Sequence, residues 1–131
     1  MRFVDTFYLL ALFNRSDVAH LRAVHFAQGD SGVVFTTAWV IVEFLDARAS
    51  PPKREKAANF LRRYRAKPQV RVIPPSEALL ERSTTLYESR PDKEWSLTDC
   101  ISFVVMHEEG LTEALTGDHH FEQAGFVALL K

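Results

Sequence analysis

Five short runs rich in branched or aromatic residues recur along the chain, separated by helical patterns, and no two are joined by a hairpin-type turn. They are Arg2-Phe3-Val4, Val33–Thr36, Val70–Ile73, Glu113–Thr116 and Phe126–Leu129. Strands that alternate with helices need long crossover connections, and right-handed crossovers cover both faces of the sheet. A single α/β domain over residues 1–131, with a mostly parallel sheet, is therefore expected. Ligands in such sheets bind beyond the carboxyl ends of the strands, where the strand order reverses.

The helical segments carry their own start and stop signals. Asp5-Thr6 precedes a helix over Phe7–Asn14, and Ser16-Asp17 opens another that Gly29 closes. A Gly-containing turn then leads to the second strand. Thr37 suits the cap of Ala38–Arg48, and Ser50-Pro51 opens a helix with an apolar stripe of Ala57, Phe60, Leu61 and Tyr64. Ser76 caps a helix to Arg90, and Ser96-Leu97-Thr98-Asp99 has the form of a capping box. That helix runs to Glu109 before Gly110, and a short helix surrounds Phe121.

Composition narrows the chemistry. Apolar residues make up 47% and charged residues 25%, which suits a folded globular chain rather than a disordered one. Cys100 is the one cysteine, so neither an intramolecular disulfide nor a multi-thiolate zinc site can form. The first residues lack the pattern of a secretory signal, and the apolar run Phe7–Phe13 is too short to span a bilayer. A cytoplasmic, reducing location with no membrane partner is expected.

Four acids then stand out by position. Asp5 ends the first strand, Asp118 follows the fourth, and Asp99 sits in the first turn of the helix between them. Glu43 is a lone acid in the apolar stretch Ala38–Leu45. Each has a plain structural role open to it. Asp5 can cap a helix, Asp99 can complete a capping box, Asp118 can shape a turn, and Glu43 can lie on a solvated helix face. If the first and fourth strands are neighbours, however, Asp5, Asp99 and Asp118 share one edge of the sheet.

Together, Phe3-Val4-Asp5-Thr6, Glu43 in its apolar helix, Ser96-Leu97-Thr98-Asp99 and Leu115-Thr116-Gly117-Asp118 resemble a PIN domain. The likeness is greatest to the toxin ribonuclease of a bacterial VapBC-type toxin–antitoxin pair, and it covers the whole chain. It implies a three-layer α/β/α sandwich around a sheet of about five strands. It matches Asp5, Glu43, Asp99 and Asp118 to the family's acidic quartet of catalytic and metal-binding residues. Thr6 and Thr116 match the hydroxyl residues that support it. Phe7 departs from the pattern, since relatives often carry a small hydroxyl residue there. The resemblance further implies hydrolysis of RNA, an antitoxin partner and a homodimer.

Carboxylate oxygens suit Mg²⁺, with Mn²⁺ also compatible. Two like charges at ~4 Å repel by roughly 4 kcal/mol at an effective dielectric of about 20, so a gathered quartet must bind cation or partly protonate. A cation would activate water for attack on phosphorus. Asp5, Asp99 and Asp118 are assigned chiefly to the ion, and Glu43 to a second cation or to the attacking water.

A basic segment from Arg48 to Arg71, opposed only by Glu55, includes Arg54, Arg62, Arg63 and Lys67. It suits either a phosphate backbone or an ordinary solvated helix face. His119-His120 are open to a place near the scissile phosphate but expected in a solvated loop, Cys100 is expected on a core side, and Asp92-Lys93-Glu94, near the site edge in sequence, is expected in solvent and open to facing substrate. Phe13 is expected in packing, and Trp95 is open to stacking or packing. Two other functions were weighed. A receiver-type signalling domain needs an acid after the third strand, where Ile73-Pro74-Pro75-Ser76 stands instead. A noncatalytic PIN-like module would use the acidic cleft to dock a basic partner.

Overall fold

The computed structural model describes residues 1–29 and 32–131. Asp30 and Ser31, within the turn expected before the second strand, lie outside the described residues. The strands are β1 (Arg2–Val4), β2 (Val34–Thr37), β3 (Val70–Ile73), β4 (Glu113–Leu115) and β5 (Val127–Ala128). The helices are α1 (Thr6–Phe13), α2 (His20–Gly29), α3 (Ala38–Ala47), α4 (Pro51–Arg65), α5 (Glu77–Ser89), α6 (Leu97–Glu108) and α7 (His119–Gln123).

The strands form one sheet in the order β3-β2-β1-β4-β5, and every pairing is parallel. The sheet expected to be mostly parallel is thus wholly so. The chain lays β2 and β3 on one side of β1, then places β4 and β5 on the other. The order reverses at β1, so a crevice opens at the carboxyl ends of β1 and β4. Helices cover both faces and complete a three-layer sandwich.

Aromatic clusters occupy the core. Phe13, Phe44 and Phe60 meet with ring centroids 5.5 to 5.8 Å apart, joining α1, α3 and α4. Phe103 of α6 lies edge-on to Trp95 at 5.1 Å and to Phe121 at 5.0 Å, with Phe126 at 5.8 Å. Trp95, left open by the sequence, is therefore a core residue, and its indole N–H donates to Gln123.

Three local expectations change. The second helix starts at His20, because polar side chains upstream bond their own loop: Asp17 accepts from the Ala19 N–H and Asn14 from the Ser16 N–H. Ser50 precedes α4 but makes no side-chain cap bond, since Pro51 and Pro52 fill the first two positions and Pro52 has no N–H to offer. Asp5 likewise caps nothing with its side chain. Thr37, Ser76 and Ser96 cap as expected. No helix among the described residues is long and apolar enough to cross a membrane.

Phe103 is 1% exposed and touches aromatics from three separate segments. Phe103→Ala should cost about 3–5 kcal/mol through lost burial and a cavity. Urea unfolding should show a lower midpoint with an unchanged slope.

Candidate metal centre

Asp5 follows β1 directly, with its carboxylate at the crevice and only 5% of its surface exposed. Across the β1–β4 pairing, the Thr116 hydroxyl donates to Asp5 Oδ2 at 2.7 Å. The same hydroxyl oxygen accepts from the Asp118 N–H at 3.1 Å. One side chain therefore fixes the positions of two acids that are far apart in sequence.

Asp99 belongs to the capping box at the start of α6. Its N–H donates to Ser96 Oγ, while Asp99 Oδ2 accepts from the Ser96 N–H. Asp118 caps α7 by accepting from the His120 N–H at 2.9 Å. His120 then turns its ring back, placing Nδ1 3.2 Å from Asp99 Oδ2 and 3.4 Å from Asp118 Oδ1. The expected solvated loop is corrected here: His119 is largely exposed, but His120 is a half-buried member of the site. No sequence signal marked it, since its approach to Asp99 depends on how α7 sits against α6.

Asp5, Thr6, Phe7, Leu10, Glu43, Glu94, Ser96, Asp99, Asp118 and His120 line one cleft of about 480 Å³. All four expected acids are thus brought together, with α3 carrying Glu43 across from the strand ends. Glu94, expected solvated near the site edge and open to facing substrate, is exposed and lines the cleft. None of Arg54, Arg62, Arg63 or Lys67 lines it. Cys100 is buried beside Asp99, and burial pushes its thiol up to about 11, so it offers no nucleophile.

Phe7 lines the cleft beside Thr6 and Leu10. Its ring tip lies 2.5 Å from where a Cβ on Gly117 would stand. Gly117 is therefore the residue that lets this aromatic wall close on the Thr116–Asp118 turn.

The electrostatics fit a cation. Burial pushes the Asp5 carboxyl up to about 7, aided by the charges of Asp99 and Glu43 and opposed by bonds from Thr116 and Thr6. Asp99 is also raised, first by burial and then by Asp118, against bonds from Ser96 and His120. Thr6 lines the cleft, and its buried Oγ1 has no hydrogen-bond partner among the described residues. Acids held above their ordinary range beside an orphaned oxygen are the donor set for a hard divalent ion. Asp118, His119 and His120 also offer three donor atoms within 4.8 Å of one another.

Comparison with known proteins shows the family and the fold. The model of the PIN domain matches residues 2–127. The 23S rRNA-specific endonuclease VapC20 of Mycobacterium tuberculosis is 32% identical over 130 residues, covering 97% of this chain and 96% of that protein. The crystal structure of VapC20, described as a sarcin-ricin loop cleaving toxin, aligns with a TM-score of 0.88 at 28% identity over 97% of both chains. VapBC2 of Rickettsia felis, bound to a promoter DNA fragment, aligns at 0.70 and 11% identity over 97% of this chain and 96% of that one. FitAcB of Neisseria gonorrhoeae aligns at 0.68 and 18% over 98% and 95%. The last two likenesses speak to the fold alone.

Two measurements check the site. With cations chelated, a carboxyl raised in the folded state from 3.8 to about 7 binds more protons folded than unfolded. Its stabilising effect is full below about pH 4 and fades as pH rises through about 7, a loss on the order of 4 kcal/mol at most. Thermal melts in EDTA should fall across that window for the parent protein and much less for Asp5→Asn. At pH 7.5, Mn²⁺ at 100 times its dissociation constant should raise stability by about 2.7 kcal/mol, and Asp5→Asn should lose most of that gain.

Proposed function

The chain belongs to the PIN-domain family, and on that footing we propose that it is a metal-dependent endoribonuclease serving as the toxin of a toxin–antitoxin pair. The observation that carries the proposal is the convergence of Asp5, Glu43, Asp99 and Asp118 on one cleft at the carboxyl edge of the sheet. We take residues 1–131 as one nuclease domain. Asp5, Asp99 and Asp118 are assigned as ligands for Mg²⁺ or Mn²⁺. Glu43 stands across the cleft to hold a second ion or to accept a proton from the attacking water.

A bound divalent cation would supply an activated water and neutralise charge gathering on the phosphate. The chain's own residues do the rest. Thr116 holds Asp5 and the Asp118 backbone in register, and Thr6 adds its hydroxyl oxygen at the cleft. His120 is a positioning residue that keeps the Asp99 and Asp118 carboxylates turned toward each other.

The name of the 32% identical relative specifies 23S rRNA, and we assign ribosomal RNA as the substrate class of this chain. Likeness to VapC20, whose structure is described as that of a toxin, supports an antitoxin as the protein partner. A homodimer and action in the cytoplasm complete the reading. A noncatalytic docking module would share the fold but would leave RNA intact.

Partner-free protein incubated with purified ribosomal RNA and Mg²⁺ or Mn²⁺ should cut it, and EDTA should abolish the cutting. Asp5→Asn and Asp99→Asn should each lower the rate at least ~100-fold while melting as folded proteins. Cutting that survives chelation, or equal rates in these variants, would refute the assignment of the centre.

A further inference from the structure

A second concave feature lies beside the acidic cleft. It has a volume of about 350 Å³ and is formed where the end of α1 meets α4, with Phe13, Arg15, Lys56, Asn59, Phe60 and Arg63 on its walls. No acid lines it. Among the described residues, no carboxylate stands within salt-bridge distance of Arg15, Lys56 or Arg63. Three cations thus face one groove without internal neutralisation.

The groove joins the cleft through α1. Thr6, Phe7 and Leu10 of that helix line the acidic cleft, and Phe13 lines the basic groove. Leu10 and Phe13 are three residues apart, which is about 4.5 Å along the helix axis. On α4, Lys56, Asn59 and Arg63 recur at spacings of three and four, so they share one helix face. Asn59 Oδ1 accepts from Arg62 at 3.1 Å, which leaves the Asn59 amide hydrogens to donate. Every polar side chain on the groove wall can therefore donate to an anion.

We propose that this groove binds the phosphodiester backbone of the RNA strand as it leaves the cleft. The inference rests on the ribonuclease reading for the identity of the polyanion. A cleft lined by five acids repels a nucleic-acid strand, and a donor-only groove one helical turn away supplies the attraction that the cleft lacks. The site also divides the basic segment by role. Arg63 faces the groove, and Arg62 orients Asn59. Arg54 is tied to the Ala49 carbonyl, and Lys67 lies over the Tyr64 ring on another side.

The test uses the Asp5→Asn chain, so that binding is read without cleavage, and a labelled RNA stem-loop as probe. Each phosphate contact contributes about 0.7 to the slope of log affinity against log salt for single strands. Lys56→Gln with Arg63→Gln should lower that slope by about 1.4 and weaken binding roughly twentyfold at 0.1 M salt. Arg65→Gln with Arg71→Gln removes the same charge from exposed positions that do not line the groove and should weaken binding less than about threefold, as expected for exposed charges that make no phosphate contact. Lys56→Arg with Arg63→Lys should restore affinity. Equal losses in the two neutralised pairs, or no loss in either, would overturn the groove; the latter is also the result if an acidic protein segment is its occupant. Cleavage of ribosomal RNA by the parent chain is scored separately. An inactive parent with groove-dependent binding would refute the nuclease reading and leave the groove standing.

Discussion

The bond from the Thr116 hydroxyl to the Asp5 carboxylate is the joint between sheet and site. The two residues are 111 positions apart, and only the parallel pairing of β1 with β4 brings them together. Asp5 is nearly buried, and a carboxylate taken from water without a partner is costly. Thr116 offsets part of that cost by donating to one oxygen. Its own oxygen accepts from the Asp118 N–H, so the same small side chain sets the start of α7. A shift of β4 by one residue against β1 would carry Thr116 away from Asp5 and break the contact between them.

The acids gather at helix starts for a related reason. Asp5 precedes α1, Asp99 lies in the first turn of α6, and Asp118 caps α7. Free N–H groups and the positive end of the helix dipole favour negative charge at such places. Capping and cation binding are thus not competing roles for Asp99 and Asp118. The cap bonds hold the backbone and one carboxylate oxygen of each residue, and both residues still line the cleft. Asp5 differs, since its side chain makes no N-cap bond and its largest hydrogen-bond stabilisation comes from Thr116, just past β4.

This difference explains what was legible in the sequence. The runs that became strands and the Thr37, Ser76 and Ser96 caps are local patterns, and they stand within a residue or two of their expected places. The four acids could be named because each sits at the end of such a pattern, and the parallel topology gives those ends a common edge. His120 could not be read the same way. Its approach to Asp99 depends on how α7 settles against α6, which no spacing between residues 99 and 120 encodes. The helix start at His20 was hidden because Asn14 and Asp17 serve a turn and a cap equally well, and the packing of α1 on α2 decides between them.

The near-neutral chain conceals a strong separation of charge. Between Lys53 and Arg71 there are eight cations and one acid, so a formal net of −1 leaves about −8 for the remainder. The acids of the cleft lie in that remainder. A polyanion approaching such a molecule is drawn to the α4 side and repelled from the cleft until a divalent ion reverses the sign there. On the proposed reading, a bound cation would do two things by the same charge: relieve the repulsion among the clustered carboxylates, and open the cleft to a strand held in the neighbouring groove. A ribonuclease built this way needs no excess of basic residues overall, which is why net charge said so little about its substrate while the placement of charge said a good deal.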